Sequence, residues 1–459
     1  MVLGSALALV TTLTLTISCG SPVIESSGSG EGPPRRGGVL ASGVVNLCPA
    51  VDGVSANPGT AMVSKPIALS GTGHDTDGVP APLALTWTAT AGTISNPTAS
   101  NPTFTCTTAG PATITLSVTD GDCVDSQSLV VTCTPLVVAL APWPGANATV
   151  IVDQAHQFSG NLSGLSYDPA TSAGPAVLWA VQNGPSTLYR LLWNGTTWAS
   201  TTTDGWSAGK ALHYPDGSGT PDAEGVTKAE AASSAVYVST ERNNDAGGVS
   251  RLSVLRFDTS APGAALTATH EWDLTGDLPA ADANLGLEAI TWIPDSFLVG
   301  AGFVDESTNQ PYAPSRYANH GTGIFFVGLE ANGSIYGFAL DHVGGGFQRV
   351  ATFAGGQASI MDLSFDRDVG YLWGYCDNTC ANRAAVLMID ADPLSATHGH
   401  FRLSRLYDHP STLPDVNNEG IAIAPESECT GGRKAFFWTD DSATGGNSLR
   451  RDSIPCGQF

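Results

Sequence analysis

The stretch Asn417-Asn418-Glu419-Gly420-Ile421-Ala422 contains a short pattern that recurs along most of the chain. In most copies a polar or acidic residue is followed by a small residue, a hydrophobic residue and then Thr, Ser or Ala. The five copies are Ser163–Ser166, Glu224–Thr227, Glu288–Thr291, Met361–Ser364 and Glu419–Ala422. Successive copies are 61, 64, 73 and 58 residues apart. A repeat with a nearly constant period indicates a modular architecture.

Each copy is followed by a second apolar segment that has the composition of a β-strand. These segments are Val177–Val181, Ala235–Ser239, Phe297–Gly300, Tyr371–Gly374 and Ala435–Trp438. Third and fourth strand-like segments follow most of them, and such sets of strands repeated along a chain predict a β-propeller for residues 136–459. Five copies favour five blades, and the 73-residue step leaves room for a sixth. Either residues 137–140 or residues 149–152 would supply an outer strand that closes the last blade.

Residues 43–134 alternate strand-like runs with turn signals, and this pattern predicts a small antiparallel β-sandwich. The runs Leu85–Ala89 and Gly110–Gly121 resemble those of the polycystic-kidney-disease (PKD) type of immunoglobulin-like domain. That resemblance implies an immunoglobulin-like sandwich. The whole chain is therefore predicted to be all-β, with this sandwich preceding the propeller.

The N-terminal residues predict export. Residues 1–18 are apolar or hydroxyl-bearing and resemble a lipoprotein-type signal peptide, in which Cys19 would become the lipid-anchored residue. Residues 19–42 are rich in Ser, Gly and Pro, and we expect them to form a flexible linker. The expected location is the bacterial cell envelope, as an outer-membrane lipoprotein, or the extracellular medium.

The balance of charges excludes some partners. The formal net charge is −23, with only 19 Lys and Arg, so nucleic acid and anionic lipid surfaces would repel the chain. We expect a monomer that contacts the membrane only through Cys19. Such an acidic chain should instead attract cations.

Eight of the nine cysteines lie beyond Cys19, and an even number in an exported protein indicates disulfides. Cys429 and Cys456 are expected to pair with each other, and so are the closely spaced Cys376 and Cys380. The pairing of the remaining four stays open, because four cysteines allow three connectivities. These four are Cys48, Cys106, Cys123 and Cys133.

The propeller prediction brings acidic residues together. The first strand of each blade lines the channel and the second runs antiparallel to it, so the start of one and the end of the other share one end. Acids and amides crowd both positions, among them Asp222 and Glu241. Crowded carboxylates must raise their pKa values or bind a cation, and Ca²⁺ suits oxygen ligands. The metal candidates are Glu224, Glu288, Glu419, Asp305, Asp362, Asp377 and Asp440. The alternative is that these acids only cap strand openings.

Several of the same motifs resemble the phytase-like domain family, known as "esterase-like activity of phytase". They are Gly164–Pro169, Glu224–Val226, Val238–Arg242, Asn284–Ile290 and Asn418–Ala422. The resemblance spans residues 160–455 and implies a propeller that hydrolyses a phosphoester or a carboxylic ester. Metal-assisted activation of water would then fall to Glu224, Glu288 and Glu419, with Arg242 as the contact for the oxyanion or phosphate.

The sequence leaves the function open between two classes. The first is a Ca²⁺-dependent hydrolase of a small ester or phosphoester. The second is a non-catalytic module in which the propeller binds a ligand or an adhesion partner at the cell surface. A shared fold does not decide between them, because unrelated functions occur on one fold.

Overall fold

A computed structural model gives the fold. It describes residues 24–26, 36–39, 45–63, 65–107, 109–134, 138–172, 174–393, 395 and 397–458. The predicted signal peptide, the lipid-anchor residue Cys19 and most of the linker lie outside these residues. The chain divides into two units, Met1–Val137 and Val138–Phe459.

Two sheets form the first unit. One sheet has the strand order Ile24–Ser26, Ala50–Asn57, Pro66–His74, Thr103–Thr105 and Thr93–Ile94. The other has the order Thr60–Met62, Val124–Thr134, Gly110–Thr119 and Ala84–Ala89. A separate two-stranded sheet joins Arg36–Val39 and Val45–Leu47.

Alternating side chains of both large sheets meet in one core, as a sandwich requires. In the strand Gly110–Thr119 every second residue is buried from Ala112 onward, and in Pro66–His74 buried and exposed residues also alternate. Trp87 and Phe104 are the largest fully buried side chains in this core. Two disulfides, Cys48–Cys123 and Cys106–Cys133, settle the pairing that the sequence left open.

Within its described residues the second unit contains five sheets of at least four strands, which we call blades 1 to 5, and one small two-stranded sheet. Blade 1 consists of Leu162–Asp168, Val177–Gln182, Thr187–Trp193 and Lys210–His213, extended by Trp198–Ser200 and Ala265–Thr267. Blade 2 consists of Pro221–Thr227, Ala235–Asn243, Ser250–Asp258 and His270–Asp273. Blade 3 consists of Leu287–Pro294, Gly323–Leu329, Ser334–Leu340 and Phe347–Ala354.

The N-terminal residues of this unit complete the last two blades. Blade 4 consists of Asp362–Asp366, Tyr371–Tyr375, Ala384–Ile389 and Phe401–Tyr407, with Leu140–Ala141 added in parallel. Blade 5 consists of Ile421–Ile423, Arg433–Thr439 and Leu449–Pro455, with Val150–Ile151 as its outer strand. Of the two segments proposed to close blade 5, the later one does so. The disulfides Cys376–Cys380 and Cys429–Cys456 are present as expected.

The innermost strands of the five blades contact one another in a closed ring, from blade 1 through blade 5 and back to blade 1. The small residue of the repeated motif explains how they approach so closely. A Cβ atom on Gly164 would lie 2.5 Å from the backbone oxygen of Glu224, and one on Gly420 would lie 2.2 Å from that of Ser163. The motif is therefore a signature of the contact between neighbouring blades. This arrangement is an all-β, propeller-like fold.

The prediction of a strand at Phe297–Gly300 is wrong. Residues Asp295–Gly300 form a short α-helix, which begins after Pro294. Leu298 is buried while Val299 is half exposed, so the apolar run buries one side only. An insertion with the short strands Val304–Asp305 and Gln310–Pro311 follows, and the second strand of blade 3 is Gly323–Leu329. The long step of the repeat reflects this insertion.

The remaining helical elements of the described residues are short 3₁₀ turns. They are Asn244–Ala246, Pro314–Arg316, Glu330–Asn332, Asn378–Cys380, Glu426–Glu428 and Thr444–Gly446. In the described part of the chain, no helix has the length and apolar character needed to cross a membrane.

Candidate functional site

Blades 2 and 3 bring five carboxyl groups to one end of the channel. Asp222 and Glu224 lie on the innermost strand of blade 2, and Glu241 lies near the end of its second strand. Glu288 opens the innermost strand of blade 3, and Glu330 directly follows its second strand. Because the first two strands of a blade are antiparallel, the start of the innermost strand and the end of the second strand lie at the same end of the channel. We call these five residues the carboxylate cluster.

The cluster consists of two overlapping trios. Carboxylate oxygens of Asp222, Glu224 and Glu241 lie within 4.8 Å of one another, and so do those of Glu241, Glu288 and Glu330. Glu241 belongs to both trios. Four of the five side chains are buried, with Glu224 only 2% exposed, and Glu330 is half-buried. Three carboxylates this close form a pattern that can hold a hard cation.

One positively charged side chain of the protein, that of Arg242, lies in the cluster. The guanidinium of Arg242 lies 2.8 Å from Asp222 Oδ2 and 3.7 Å from Glu241 Oε2. It also donates a 2.7 Å hydrogen bond to the carbonyl oxygen of Ala283. Arg242 is thus held within the wall of the cluster. It offsets one of the five negative charges and leaves the rest to another partner.

Amide groups orient two of the carboxylates. Asn183 Nδ2 donates to both oxygens of Glu224, at 3.1 and 3.2 Å. The backbone N–H of Gly286 donates to Glu241 Oε1 at 2.5 Å. These bonds fix where the carboxylate oxygens point, which is what a preformed ligand set requires.

Glu419 of blade 5 approaches the same end of the channel. Asn417 Nδ2 donates to its Oε1 at 2.8 Å. Its other oxygen, Oε2, is buried and accepts no geometrically well-formed hydrogen bond in the described part of the chain, although the nearby Ser163 side chain lowers the pKa of this carboxyl. A buried carboxylate oxygen without a donor is costly, so this atom has capacity for a further ligand.

The acidic residues at this end of the channel raise one another's pKa values. Burial is the main cause that raises the pKa of Glu224 and of Glu288 well above the usual range, and the neighbouring carboxylates, including Glu419, raise both further. Burial also raises the pKa of Glu419, with contributions from Asp441 and Asp377. Burial and the charge of Glu241 raise the pKa of Glu330 to about 7. The group cannot be fully ionised at neutral pH without an added positive charge.

Two of the predicted metal ligands have structural surroundings instead. Asp362 is fully buried and accepts hydrogen bonds from the backbone N–H groups of Leu363 at 2.8 Å, Ile421 at 2.7 Å and Leu165 at 3.3 Å. It thereby joins the innermost strands of blades 1, 4 and 5. Asp440 lies 2.9 Å from Arg450 and accepts from the backbone of two residues in the following loop.

The other two predicted ligands differ in position. Asp377 accepts hydrogen bonds from the backbone and hydroxyl of Thr379 and caps a 3₁₀ turn, yet its charge still raises the pKa of Glu419. Asp305 lies in the blade 3 insertion, where the Tyr317 hydroxyl donates to it and Arg316 is 3.7 Å away. The insertion displaced Asp305 from the end of the second strand, and the structure does not bring it to the cluster.

Sequence reasoning missed Glu330 as a member of the cluster. It occupies in blade 3 the position that Glu241 occupies in blade 2, just where the second strand ends. Assigning the second strand to Phe297–Gly300 concealed this equivalence. The acidic residue after the apolar run Gly323–Leu329 was the available signal.

No protein-family model and no curated protein matches the chain. Solved structures similar to it include a protein of unknown function from Bacteroides thetaiotaomicron, with 10% identity, a TM-score of 0.32, and coverage of 87% of this chain and 98% of that one. A chain of a mitotic checkpoint complex has 9% identity, a TM-score of 0.33 and coverages of 70% and 99%.

A further solved structure, an oxidoreductase of the glucose dehydrogenase type from Thermus thermophilus, has 12% identity, a TM-score of 0.34 and coverages of 67% and 99%. Similarities of this size carry no argument about chemistry. The sheets and their ring of contacts define the propeller-like fold. The phytase-like and PKD resemblances of the sequence stay predictions.

Proposed function

We propose that the carboxylate cluster is a binding site for divalent cations, with Ca²⁺ as the preferred ion. One observation carries the proposal: two trios of mostly buried carboxylates share Glu241 and contain one guanidinium between them. A second observation supports the proposal: Oε2 of Glu419, on the opposite side of the channel, is available as a further ligand. Oxygen ligands with several negative charges favour Ca²⁺ over softer metals.

The reaction that fits such a site is hydrolysis of a phosphoester or a carboxylic ester. A bound cation would polarise the ester and supply an activated water. Of the chain's own residues, Glu224 and Glu288 would hold the ion. Glu419, whose free oxygen is unpartnered, would accept the proton of the attacking water.

The position of Arg242 favours the second candidate function, a non-catalytic binding module. Its guanidinium is engaged by Asp222 and by the carbonyl oxygen of Ala283, so it is not free to stabilise an oxyanion. In this alternative the cation would bridge the cluster to an acidic group of a cell-surface ligand. The four disulfides suit an oxidising compartment, and we propose an exported monomer anchored through Cys19, without a nucleic-acid partner.

Calorimetric titration of the chelator-treated protein with Ca²⁺ tests the binding proposal. We expect saturable binding that Glu241→Gln weakens by about 10-fold or more, since each trio loses one charged ligand. Glu306→Gln, which removes a carboxylate from the blade 3 insertion, is the matched control and should leave the affinity unchanged. Wild-type protein without measurable Ca²⁺ binding would refute the proposal.

Turnover separates the two candidate functions. With 4-nitrophenyl phosphate and 4-nitrophenyl acetate as probes, a hydrolase should lose activity in chelator and with Glu288→Gln. Activity that survives both changes would exclude the metal-dependent mechanism. Ca²⁺ binding without turnover on either probe would favour the binding module.

A further inference from the structure

A second site lies at the other end of blades 2 and 3. A cavity of about 290 Å³ opens there between the two blades. Tyr237, Trp292 and Phe325 form its aromatic walls, and all three are buried. Tyr237 begins the second strand of blade 2 and Trp292 ends the innermost strand of blade 3, so the cavity faces away from the carboxylate cluster.

Three of the nine histidines of the chain line this cavity: His270, His320 and His342. The surroundings of His342 fix its tautomer. Its Nδ1 lies 3.0 Å from the carbonyl oxygen of Asn319, which can only accept, so Nδ1 carries the proton. Its Nε2 therefore accepts the hydroxyl of Tyr237 at 2.9 Å. His270 Nε2 in turn donates to the carbonyl oxygen of His342 at 2.9 Å.

The surroundings of His342 and His320 give neither ring a net charge to offer a ligand. Burial lowers the pKa of His342, and the adjacent Arg256 lowers it further, so this ring is neutral at pH 7. The pKa of His320 is raised by its hydrogen bond to Asp295, and the two form a pair at 3.1 Å whose charges cancel when His320 is protonated.

The one guanidinium in the lining belongs to Arg256. It donates to the Thr269 hydroxyl at 2.9 Å and lies beside the hydroxyl of Tyr237. Within the described part of the chain, no carboxylate lies within ion-pair distance of it, although Asp and Glu outnumber Lys and Arg by 42 to 19. The acid in the lining, Glu230, is exposed and accepts the Thr322 hydroxyl at 2.6 Å.

We propose that this cavity binds a small aromatic carboxylate, with its ring against the wall formed by Tyr237, Trp292 and Phe325 and its carboxylate on Arg256. A cavity of roughly 150 Å³ accommodates benzene, so 290 Å³ has room for one ring and a short acidic substituent. The planar guanidinium matches a carboxylate in shape. A single unpaired cation matches one negative charge, which favours a carboxylate over a doubly charged phosphate. The inference does not depend on cation binding at the other end.

Calorimetric titration of the full chain with phenylacetate, and with 2-phenylethanol as its uncharged counterpart, tests the inference. The buffer contains chelator, so that the carboxylate cluster does not contribute. We expect phenylacetate to bind about 10-fold or more tightly than 2-phenylethanol, because a charge-assisted pair distinguishes them. This comparison uses only the wild-type protein and does not depend on the folding of any variant.

Variants then locate the site. Arg256→Gln should remove the preference for phenylacetate, whereas Arg190→Gln, a half-buried arginine on the third strand of blade 1, should preserve it. Equal affinities for the two probes, unchanged binding to Arg256→Gln, or no binding of phenylacetate up to about 10 mM would overturn the inference. Tighter binding of phenyl phosphate than of phenylacetate would overturn the assignment of a carboxylate.

Discussion

The carboxyl groups of Glu241 and Glu288 lie within 4.8 Å of each other across the boundary between blades 2 and 3. One ends a second strand and the other begins the innermost strand of the next blade. The trio of Asp222, Glu224 and Glu241 lies within blade 2, whereas the trio with Glu288 and Glu330 forms only across this boundary, so the complete cluster needs both blades. Since Glu241 also contacts Asp222 and Glu224, it is the residue through which the two trios act together.

This shared position predicts that the effect of Glu241→Gln on stability depends on Ca²⁺. Without the ion the variant should be more stable than wild type, because one of several mutually repelling buried carboxylates is gone. With the ion it should gain less stability, because binding at 100 times Kd contributes about 2.7 kcal/mol and this variant binds more weakly. Thermal unfolding in chelator and in saturating Ca²⁺ measures both effects.

Glu306→Gln serves as the control for this experiment. It changes the net charge by the same amount but lies in the blade 3 insertion, where it accepts the Thr352 N–H and pairs with His400, so Ca²⁺ should raise its melting temperature by as much as that of wild type. If Glu241→Gln lowers stability in chelator as well, the cluster is a structural network and the cation proposal fails.

The raised pKa values predict how the ion-free protein responds to pH. Glu330 titrates at about 7 when folded, against 4.5 for an unperturbed glutamate. A group with a raised folded pKa contributes its full stabilisation below the unfolded value and loses it as pH rises through the folded value. Glu224, Glu288 and Glu419 shift in the same direction. In chelator, the melting temperature should therefore fall between pH 5 and pH 8.

Glu330→Gln isolates one part of that fall. The variant should be closest to wild type near pH 4 and be more stable at pH 8, since it has no proton to lose in this interval. Saturating Ca²⁺ should reduce the fall in the wild-type protein, because the ion replaces the lost protons. A wild-type melting temperature that stays level or rises from pH 5 to pH 8 in chelator would contradict this prediction.

The sequence was sufficient to predict the ring and to name two of the five cluster residues as metal candidates. Glu224 and Glu288 were found because both stand at the first position of a repeated motif whose small residue the ring requires. The same reasoning failed for blade 3, where it assigned the second strand to the wrong residues. The apolar run Phe297–Val299 has the composition of a strand, but Pro294 and Asp295 favour the start of a helix, and Glu330 was consequently not recognised.

The sequence repeat also could not predict the direction in which each side chain points. Asp362 occupies the small-residue position of the motif in blade 4, and repetition alone suggested a role like that of its neighbours. Its carboxylate instead accepts backbone N–H groups of blades 1 and 5. Likewise, no sequence spacing indicated that histidines from blade 2, the insertion and blade 3 would surround one cavity.

The close approach of the innermost strands predicts that Gly164→Ala is destabilising. The added Cβ would lie 2.5 Å from the backbone oxygen of Glu224 and 2.6 Å from Gly225 Cα, so blades 1 and 2 would have to separate. Such overpacking costs about 1–3 kcal/mol of unfolding free energy. Urea denaturation measures it against Gly174→Ala in the same blade, where the added atom meets nothing within 4 Å. Equal stabilities of the two variants would show that the ring is looser than described.

Asp362→Ala distinguishes a structural carboxylate from a metal ligand. The change leaves the buried N–H groups of Leu165, Leu363 and Ile421 without their acceptor, and each such loss costs about 1–3 kcal/mol. The melting temperature should therefore fall by a similar amount in chelator and in Ca²⁺, while the stabilisation caused by the ion stays the same. Asp362→Asn keeps one carbonyl acceptor and should lose less. If Asp362→Ala abolished the Ca²⁺-dependent stabilisation but unfolded at nearly the wild-type temperature in chelator, Asp362 would be a metal ligand, because its backbone contacts would then contribute little to the ring.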